Sequence, residues 1–213
     1  MSVAVKICGL STTETVTAAV AGGAAMVGFV FFPASPRAIA PGQLSALVAD
    51  VPAHVTRVGL FVDAGEETIE SVVATGGIDM LQLHGGETPD DVVRLKKRFG
   101  LPVMKAIAVS DARDLDAARI YEPVVDRLLF DARPPKGASR PGGNALAFDW
   151  QLIKGVSWAV PWLLAGGLSA RNLTEAVQIS GATAVDVSSG VEDAPGLKSV
   201  AKIDEFLALT KTL

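Results

Sequence analysis

Only one cysteine, Cys8, occurs in the 213 residues. No intramolecular disulfide can form, and no second thiol offers a zinc site. So few thiols fit a reducing, cytoplasmic compartment. A basic surplus is also lacking: 19 Lys and Arg stand against 23 Asp and Glu, for a net charge of −4 at pH 7. That balance excludes the usual footprint of a nucleic-acid partner. Long apolar runs are missing as well. The nearest, AAVAGGAAMVGFVFF, is interrupted by glycines and ends in PASPR, whereas a membrane span needs about 20 consecutive apolar residues. The first residues show no basic n-region followed by a cleavable apolar segment. No charge block, low-complexity tract or Pro/Ser-rich linker divides the chain, so one domain over residues 1–213 is expected.

What is present is a large apolar fraction, 49% against 20% charged, enough for a substantial core. It comes as eight short runs: VAVKIC (3–8), AMVGFVF (25–31), RVGLFV (57–62), DMLQLH (79–84), PVMKAI (102–107), DRLLFD (126–131), PWLLAG (161–166) and TAVDVS (183–188). Between them lie amphipathic stretches such as STTETVTAAVAGG and GETPDDVVRLKKRFG, which carry helix start and stop residues. Near-continuous apolar strands alternating with helices predict a parallel sheet covered by helices. Eight such units predict an α/β fold of the compact (β/α)₈ TIM-barrel type. A doubly wound open sheet is the alternative. The longest break is ARPPKGASRPGGNALA (132–147), after the sixth strand.

In a barrel, active sites collect at the C-terminal ends of the strands. The candidates there are Cys8, Asp63, His84, Asp131, Gly166 and Gly167, and the run Asp186, Ser188, Ser189, Gly190. Period-two alternation puts Val3, Val5 and Ile7 on the helix-facing side of the first strand, and Lys6 and Cys8 on the barrel side. Strands one and six stand three places apart in a ring of eight, so Cys8 and Asp131 face each other across the mouth. Such a pair can move protons in opposite directions. Cys8 can equally be a small buried hydrophobe, and Asp131 a cap or a loop salt bridge. AGGLSARNL and DVSSGVE put glycines and serines after strands seven and eight, the recurrent barrel phosphate site. Arg37 in FPASPRAI can fork onto a carboxylate, although a surface arginine is the commoner fate. Asp63 is a candidate cap for the following helix. Gln82 and His84 are less specific strand-end residues. Lys6, on the face of Cys8, is the nearest candidate to favour its thiolate.

Taken together, KICGL, GFVFFPASPRAI, VGLFVD, LQLHGGE, LLFDA with FDW (148–150), LLAGGL with Asn172, and VDVSSGVE with PGLK resemble the phosphoribosylanthranilate isomerase family. The motifs run from Lys6 to Lys198 in family order. The resemblance implies an Amadori rearrangement of a phosphoribosylated anthranilate, a small sugar phosphate, with no metal or cofactor and with a monomeric or homodimeric enzyme. It makes Cys8 the general base, Asp131 the general acid and Arg37 the holder of the substrate carboxylate. A related aldose–ketose isomerase on the same barrel usually employs two aspartates, and a cysteine base speaks against it. Family members commonly carry a GGTG-like turn after strand six. Here it reads Gly142-Gly143-Asn144-Ala145, which leaves Gly143 as the phosphate contact of that loop, with Asn144 substituting for the hydroxyl. The long basic segment 132–147, with Arg133, Lys136 and Arg140, is expected to close as a lid. Gly9, without a Cβ, is expected to leave room for substrate.

Overall fold

The computed structural model describes residues 3–133, 142–143 and 147–213. Eight parallel strands close into a barrel in sequence order: β1 (Ala4–Cys8), β2 (Met26–Val30), β3 (Thr56–Phe61), β4 (Met80–Leu83), β5 (Val103–Val109), β6 (Arg127–Ala132), β7 (Trp162–Leu164) and β8 (Ala184–Val187). The ring is shut by β1 pairing with β8, with Lys6 opposite Asp186. All eight apolar runs of the sequence are strands. Outside them lie α1 (Thr13–Gly22), α2 (Pro41–Val48), α3 (Glu66–Val73), α4 (Pro89–Phe99), α5 (Ala112–Ala118), α6 (Leu173–Ser180) and α7 (Val200–Thr210).

Local chemistry sets these helices. Thr12 caps α1 by accepting from the Thr15 amide, and Gly23 at φ 96° ends it. Thr88 and Asp91 form a capping box at α4, Pro89 opens it, Lys96, Lys97 and Arg98 sit in its last turn, and Gly100 stops it. The unit after β6 departs from the eightfold pattern. Among the described residues, the stretch from β6 to β7 holds one 3-10 turn, Trp150–Leu152, and no α-helix. There Gly155 holds φ 71°, outside the helical region, and Pro161 lacks the backbone N–H that a helix interior needs. Most of the segment 132–147 expected to close as a lid, with Lys136 and Arg140, and the expected contact of Asn144 fall outside the described residues. Arg133, at its near edge, donates to Ser110 Oγ and pairs with Asp114 in the first turn of α5.

Alternation divides the core as the first strand predicts. Val3, Val5 and Ile7 join the layer between strands and helices. Met26, Val58, Met80, Met104, Leu129 and Leu163 fill the barrel interior. Above them, Cys8 packs with Val30 and Leu60. The barrel is thus a filled core that opens into a cleft only at its C-terminal rim. A small antiparallel hairpin, β9 (Glu192–Ala194) with β10 (Leu197–Lys198), follows β8. At its turn, Gly196 (φ 84°) lies so close against the Pro36 carbonyl that a Cβ would collide with it. The hairpin therefore sits directly on the loop that carries Arg37. No helix among the described residues is long and apolar enough to cross a membrane.

Candidate active site

The cleft at the strand C-termini, about 640 Å³ including its mouth, is lined by Cys8, Arg37, His84, Asp131, Gly166, Gly167, Ser188 and Ser189, among others. These come from strand ends spread around the ring, which is why they lie far apart in sequence and together in space.

Cys8 closes β1 and is 4% exposed. A Cβ on Gly28, its neighbour on β2, would lie 3.1 Å from both Cys8 Sγ and Lys6 Nζ. Thiol and ammonium converge over that glycine. Lys6 Nζ donates to Asp186 Oδ1 at 2.8 Å. Burial alone would depress the Lys6 ammonium, but Asp186 and then Cys8 outweigh it and hold its pKa above the ordinary lysine value. For Cys8 the balance goes the other way. Burial pushes the thiol up, and Lys6 only partly offsets it. The resting group is a neutral thiol with a cation in reach. Ser188 Oγ donates to the Cys8 carbonyl at 3.0 Å and fixes the strand end on which the thiol sits.

Asp131, 7% exposed, ends the barrel-facing side of β6. Its Oδ1 accepts from the Ala132 amide at 2.8 Å, and its Oδ2 lies 3.3 Å from His84 Nε2. His84 Nδ1 lies 3.2 Å from Gln82 Nε2. Gln82 is fully buried, and its Oε1 has no hydrogen-bond partner among the described residues. A chain of polar groups thus runs from the barrel interior to the carboxyl group at the rim. Gly142 covers it: a Cβ there would stand 2.5 Å from Asp131 Oδ2 and 2.9 Å from His84 Cε1.

Arg37 is no surface residue. At 4% exposure it donates from Nε and Nη2 to the two carboxylate oxygens of Glu192 at 2.7 and 2.8 Å. Gly9 acquires a different role from the one expected. Its φ is 78°, and a Cβ would lie 2.6 Å from Arg37 Cδ. The space serves the arginine stem. Gly143 (φ 69°) stands against Arg37 Nη1 in the same way, on the arginine side of the cleft. Val30, Phe32, Leu60 and Val62 form an apolar wall beside Arg37.

On the opposite side, Gly166 (φ 87°) and Gly167 (φ 61°) hold backbone conformations that side chains rarely adopt. A Cβ on Gly166 would meet the Ala132 amide at 2.6 Å. Asn172 braces this loop by donating to the Gly167 carbonyl and accepting from the Ser169 amide. Ser188 and Ser189 reach the cleft. Gly190 serves a neighbouring purpose, because a Cβ would drive into the Leu168 carbonyl and prevent the two loops from closing on each other. Asp186, expected with the phosphate loops, lines the cleft beside Ser188 and Ser189. Its carboxylate, which would repel an anion, is turned to Lys6. Asp63 caps no helix. Its carboxylate accepts from the Gly86 amide, while Gly65 stands at the N-cap of α3.

Sequence reasoning missed Glu192, Lys198, Gly28 and Gly142. Glu192 and Lys198 are charged residues outside any apolar run, and nothing in a linear pattern shows that they are buried together. The two glycines matter through neighbours distant in sequence. Among the described residues, no three of His, Cys, Asp and Glu converge with the spacing a metal ion needs.

Residues 5–208 match the family described as N-(5′-phosphoribosyl)anthranilate (PRA) isomerase. The N-(5′-phosphoribosyl)anthranilate isomerase of Paramagnetospirillum magneticum is 55% identical over 207 residues, covering 97% of this chain and 96% of that protein. The phosphoribosyl anthranilate isomerase structure from Thermotoga maritima aligns with a TM-score of 0.88 at 36% identity, covering 99% of this chain and 100% of that one. A phosphoribosyl anthranilate isomerase in complex with reduced 1-(o-carboxyphenylamino)-1-deoxyribulose 5-phosphate aligns with a TM-score of 0.82 at 34% identity, over 99% of this chain and 100% of that one.

Proposed function

We propose, for a chain that belongs to the N-(5′-phosphoribosyl)anthranilate isomerase family, that it catalyses the isomerase step of tryptophan biosynthesis with Cys8 as general base and Asp131 as general acid. The substrate is N-(5′-phosphoribosyl)anthranilate, and the product is 1-(2-carboxyphenylamino)-1-deoxyribulose 5-phosphate. Residues 1–213 act as one domain, alone or as a homodimer, without a cofactor.

The substrate has three handles, and the cleft has a matching surface for each. The anthranilate carboxylate meets Arg37, and its ring lies on the wall of Val30, Phe32, Leu60 and Val62. The phosphate anchors on the loops carrying Gly166, Gly167, Ser188 and Ser189, while Gly143, first expected with them, stands beside Arg37. Binding energy from these two ends fixes the ribose between the thiol and the carboxyl group.

Chemistry then needs two proton movements. Asp131 gives its proton to the furanose ring oxygen. The C1′–O bond breaks, and the nitrogen lone pair forms the C1′=N bond of a protonated Schiff base. Cys8, as thiolate, removes the proton from C2′, and the electron pair left behind neutralises the iminium as an enolamine. Tautomerisation of the enol yields the ketone. Both proton carriers are side chains of opposed strands, each worth about 10²–10⁴ in rate.

The observation that carries this reading is the placement of Cys8 and Asp131 in one cleft between an arginine with an apolar wall and two glycine–serine loops. The test is the fluorescence decay of phosphoribosylanthranilate with wild type, Cys8→Ala and Asp131→Ala. Wild type is expected to turn over and both variants to lose activity by orders of magnitude. Full activity in either variant overturns the assigned roles, and tight binding without turnover in wild type overturns the reaction.

A further inference from the structure

The hairpin β9–β10 brings two charged residues into the protein that the proposed chemistry does not use. Glu192 and Lys198 are both buried. Lys198 Nζ donates to Glu192 Oε1 at 2.6 Å, to the Ser188 carbonyl at 3.0 Å and to Ser188 Oγ at 3.3 Å. Glu192 takes the Nε–Nη2 edge of Arg37 with both oxygens and also accepts from the Gly196 amide at 3.3 Å. Lys202 donates to the Glu192 carbonyl at 2.7 Å and ties the hairpin to α7.

Three features make this more than a local salt bridge. Planar two-point pairing fixes the plane of the guanidinium as well as its position. The pairing uses one edge of that plane and leaves Nη1 on the Gly143 side of the cleft. The cluster is also unbalanced: Arg37 and Lys198 against Glu192 leave one positive charge for an anion to neutralise. Burial tends to raise the Glu192 carboxyl, yet Arg37 and Lys198 hold it below the ordinary range, so it stays ionised.

We infer that Glu192 is a positioning residue that sets selectivity for the carboxylate of the aromatic substrate, by locking the Arg37 plane from the far side and, through Lys198, keying it to Ser188 of the phosphate loop. The inference rests on the proposed reaction and on Arg37 as carboxylate holder. It makes the two ends of the substrate cooperate through a protein link of Arg37, Glu192, Lys198 and Ser188, rather than bind independently.

The experiment is steady-state kinetics of wild type, Glu192→Gln and Arg37→Met on phosphoribosylanthranilate and on the phosphoribosylaniline analogue that lacks the carboxylate. Glu192→Gln keeps side-chain volume and removes the charge. Glu192→Asp serves as the second variant, since it keeps the charge but reaches one methylene less. Melting curves check that each is folded. Both Glu192 variants are expected to raise KM for phosphoribosylanthranilate on the order of tenfold or more, the scale of a lost charged hydrogen bond. On the analogue, which keeps the phosphate but lacks the carboxylate, the penalty is expected to be several-fold smaller, since only the Lys198–Ser188 end of the link is engaged. An equal penalty on both substrates means a general structural role and overturns the inference alone. Wild type inert on phosphoribosylanthranilate, or Arg37→Met without a KM effect on it, overturns the underlying reading and the inference with it.

Discussion

Lys6 and Asp186 face each other across paired positions of β1 and β8, with Nζ 2.8 Å from Oδ1 and the lysine wholly buried. Each charge is compensated by the other, and neither has much water to turn to. Removing one partner leaves an unpaired charge inside the barrel. Lys6→Met is therefore expected to lower unfolding free energy by about 3–5 kcal/mol, and Lys6→Met/Asp186→Leu to recover most of it. Urea denaturation of the single and double variants measures this, and a double variant as unstable as the single one would refute it. Folding raises the lysine's hold on its proton, so the lysine's share of that stability is fully present below about pH 10.4. It is lost only as pH climbs through the raised value.

The same lysine bears on the thiol. Burial keeps Cys8 above the ordinary cysteine pKa of about 8.5, and Lys6 offsets that only in part. The thiolate fraction in the free protein is small at pH 7 and grows with pH. Accordingly alkylation of Cys8 by iodoacetamide in the free protein is expected to keep rising through pH 8 and beyond. An alkylation midpoint near neutral pH would show a preformed thiolate and contradict this balance.

The barrel was legible because its cause is local. Each strand is a short apolar run, and several helices carry their own caps, as with Thr12 and Gly23 around α1 and Thr88 and Gly100 around α4. Cys8, Asp131, Gly166 and Ser188 were legible because strand ends in a barrel converge by construction. Gly9 was misread for the opposite reason. Its neighbour is Arg37, 28 positions along, and only the folded chain shows that the arginine stem lies over it. The Lys6–Asp186 pair was not legible, because these register partners on β1 and β8 lie 180 positions apart in sequence. The helix expected after β6 is absent from the described residues, where that unit shows only the 3-10 turn Trp150–Leu152.

Two glycines give contrasting predictions. A Cβ on Gly142 would stand 2.5 Å from Asp131 Oδ2 and close to the His84 ring. Gly142→Ala is expected to push the carboxyl group off its position and lower kcat by about tenfold or more, the scale of a displaced acid. Stability should change little, since Gly142 lies at the rim. Gly190→Ala instead meets the fixed Leu168 backbone. It is expected to lower the melting temperature and to raise KM through the spread phosphate loops, with kcat less affected. Kinetics and melting curves for both variants separate the two, and identical profiles would mean that the glycines share one role.

His84 offers the sharpest remaining test. Its Nε2 lies 3.3 Å from Asp131 Oδ2, and its Nδ1 lies 3.2 Å from Gln82 Nε2. An imidazole that accepts from the Gln82 amide at Nδ1 carries its own proton on Nε2, directed at Asp131. In this arrangement His84 can steady the carboxylate that remains once Asp131 has protonated the ring oxygen, and help return a proton to it. His84→Phe keeps ring volume and removes both hydrogen bonds. It is expected to lower kcat by about 10²-fold, the scale of one general acid–base contact, with KM nearly unchanged because neither Arg37 nor the phosphate loops move. Gln82→Met is expected to have the same direction and a smaller size, since it frees the tautomer without removing the ring. The readouts are kcat, KM and the pH profile of each variant. A kcat for His84→Phe within twofold of wild type would show that Asp131 works without its neighbour.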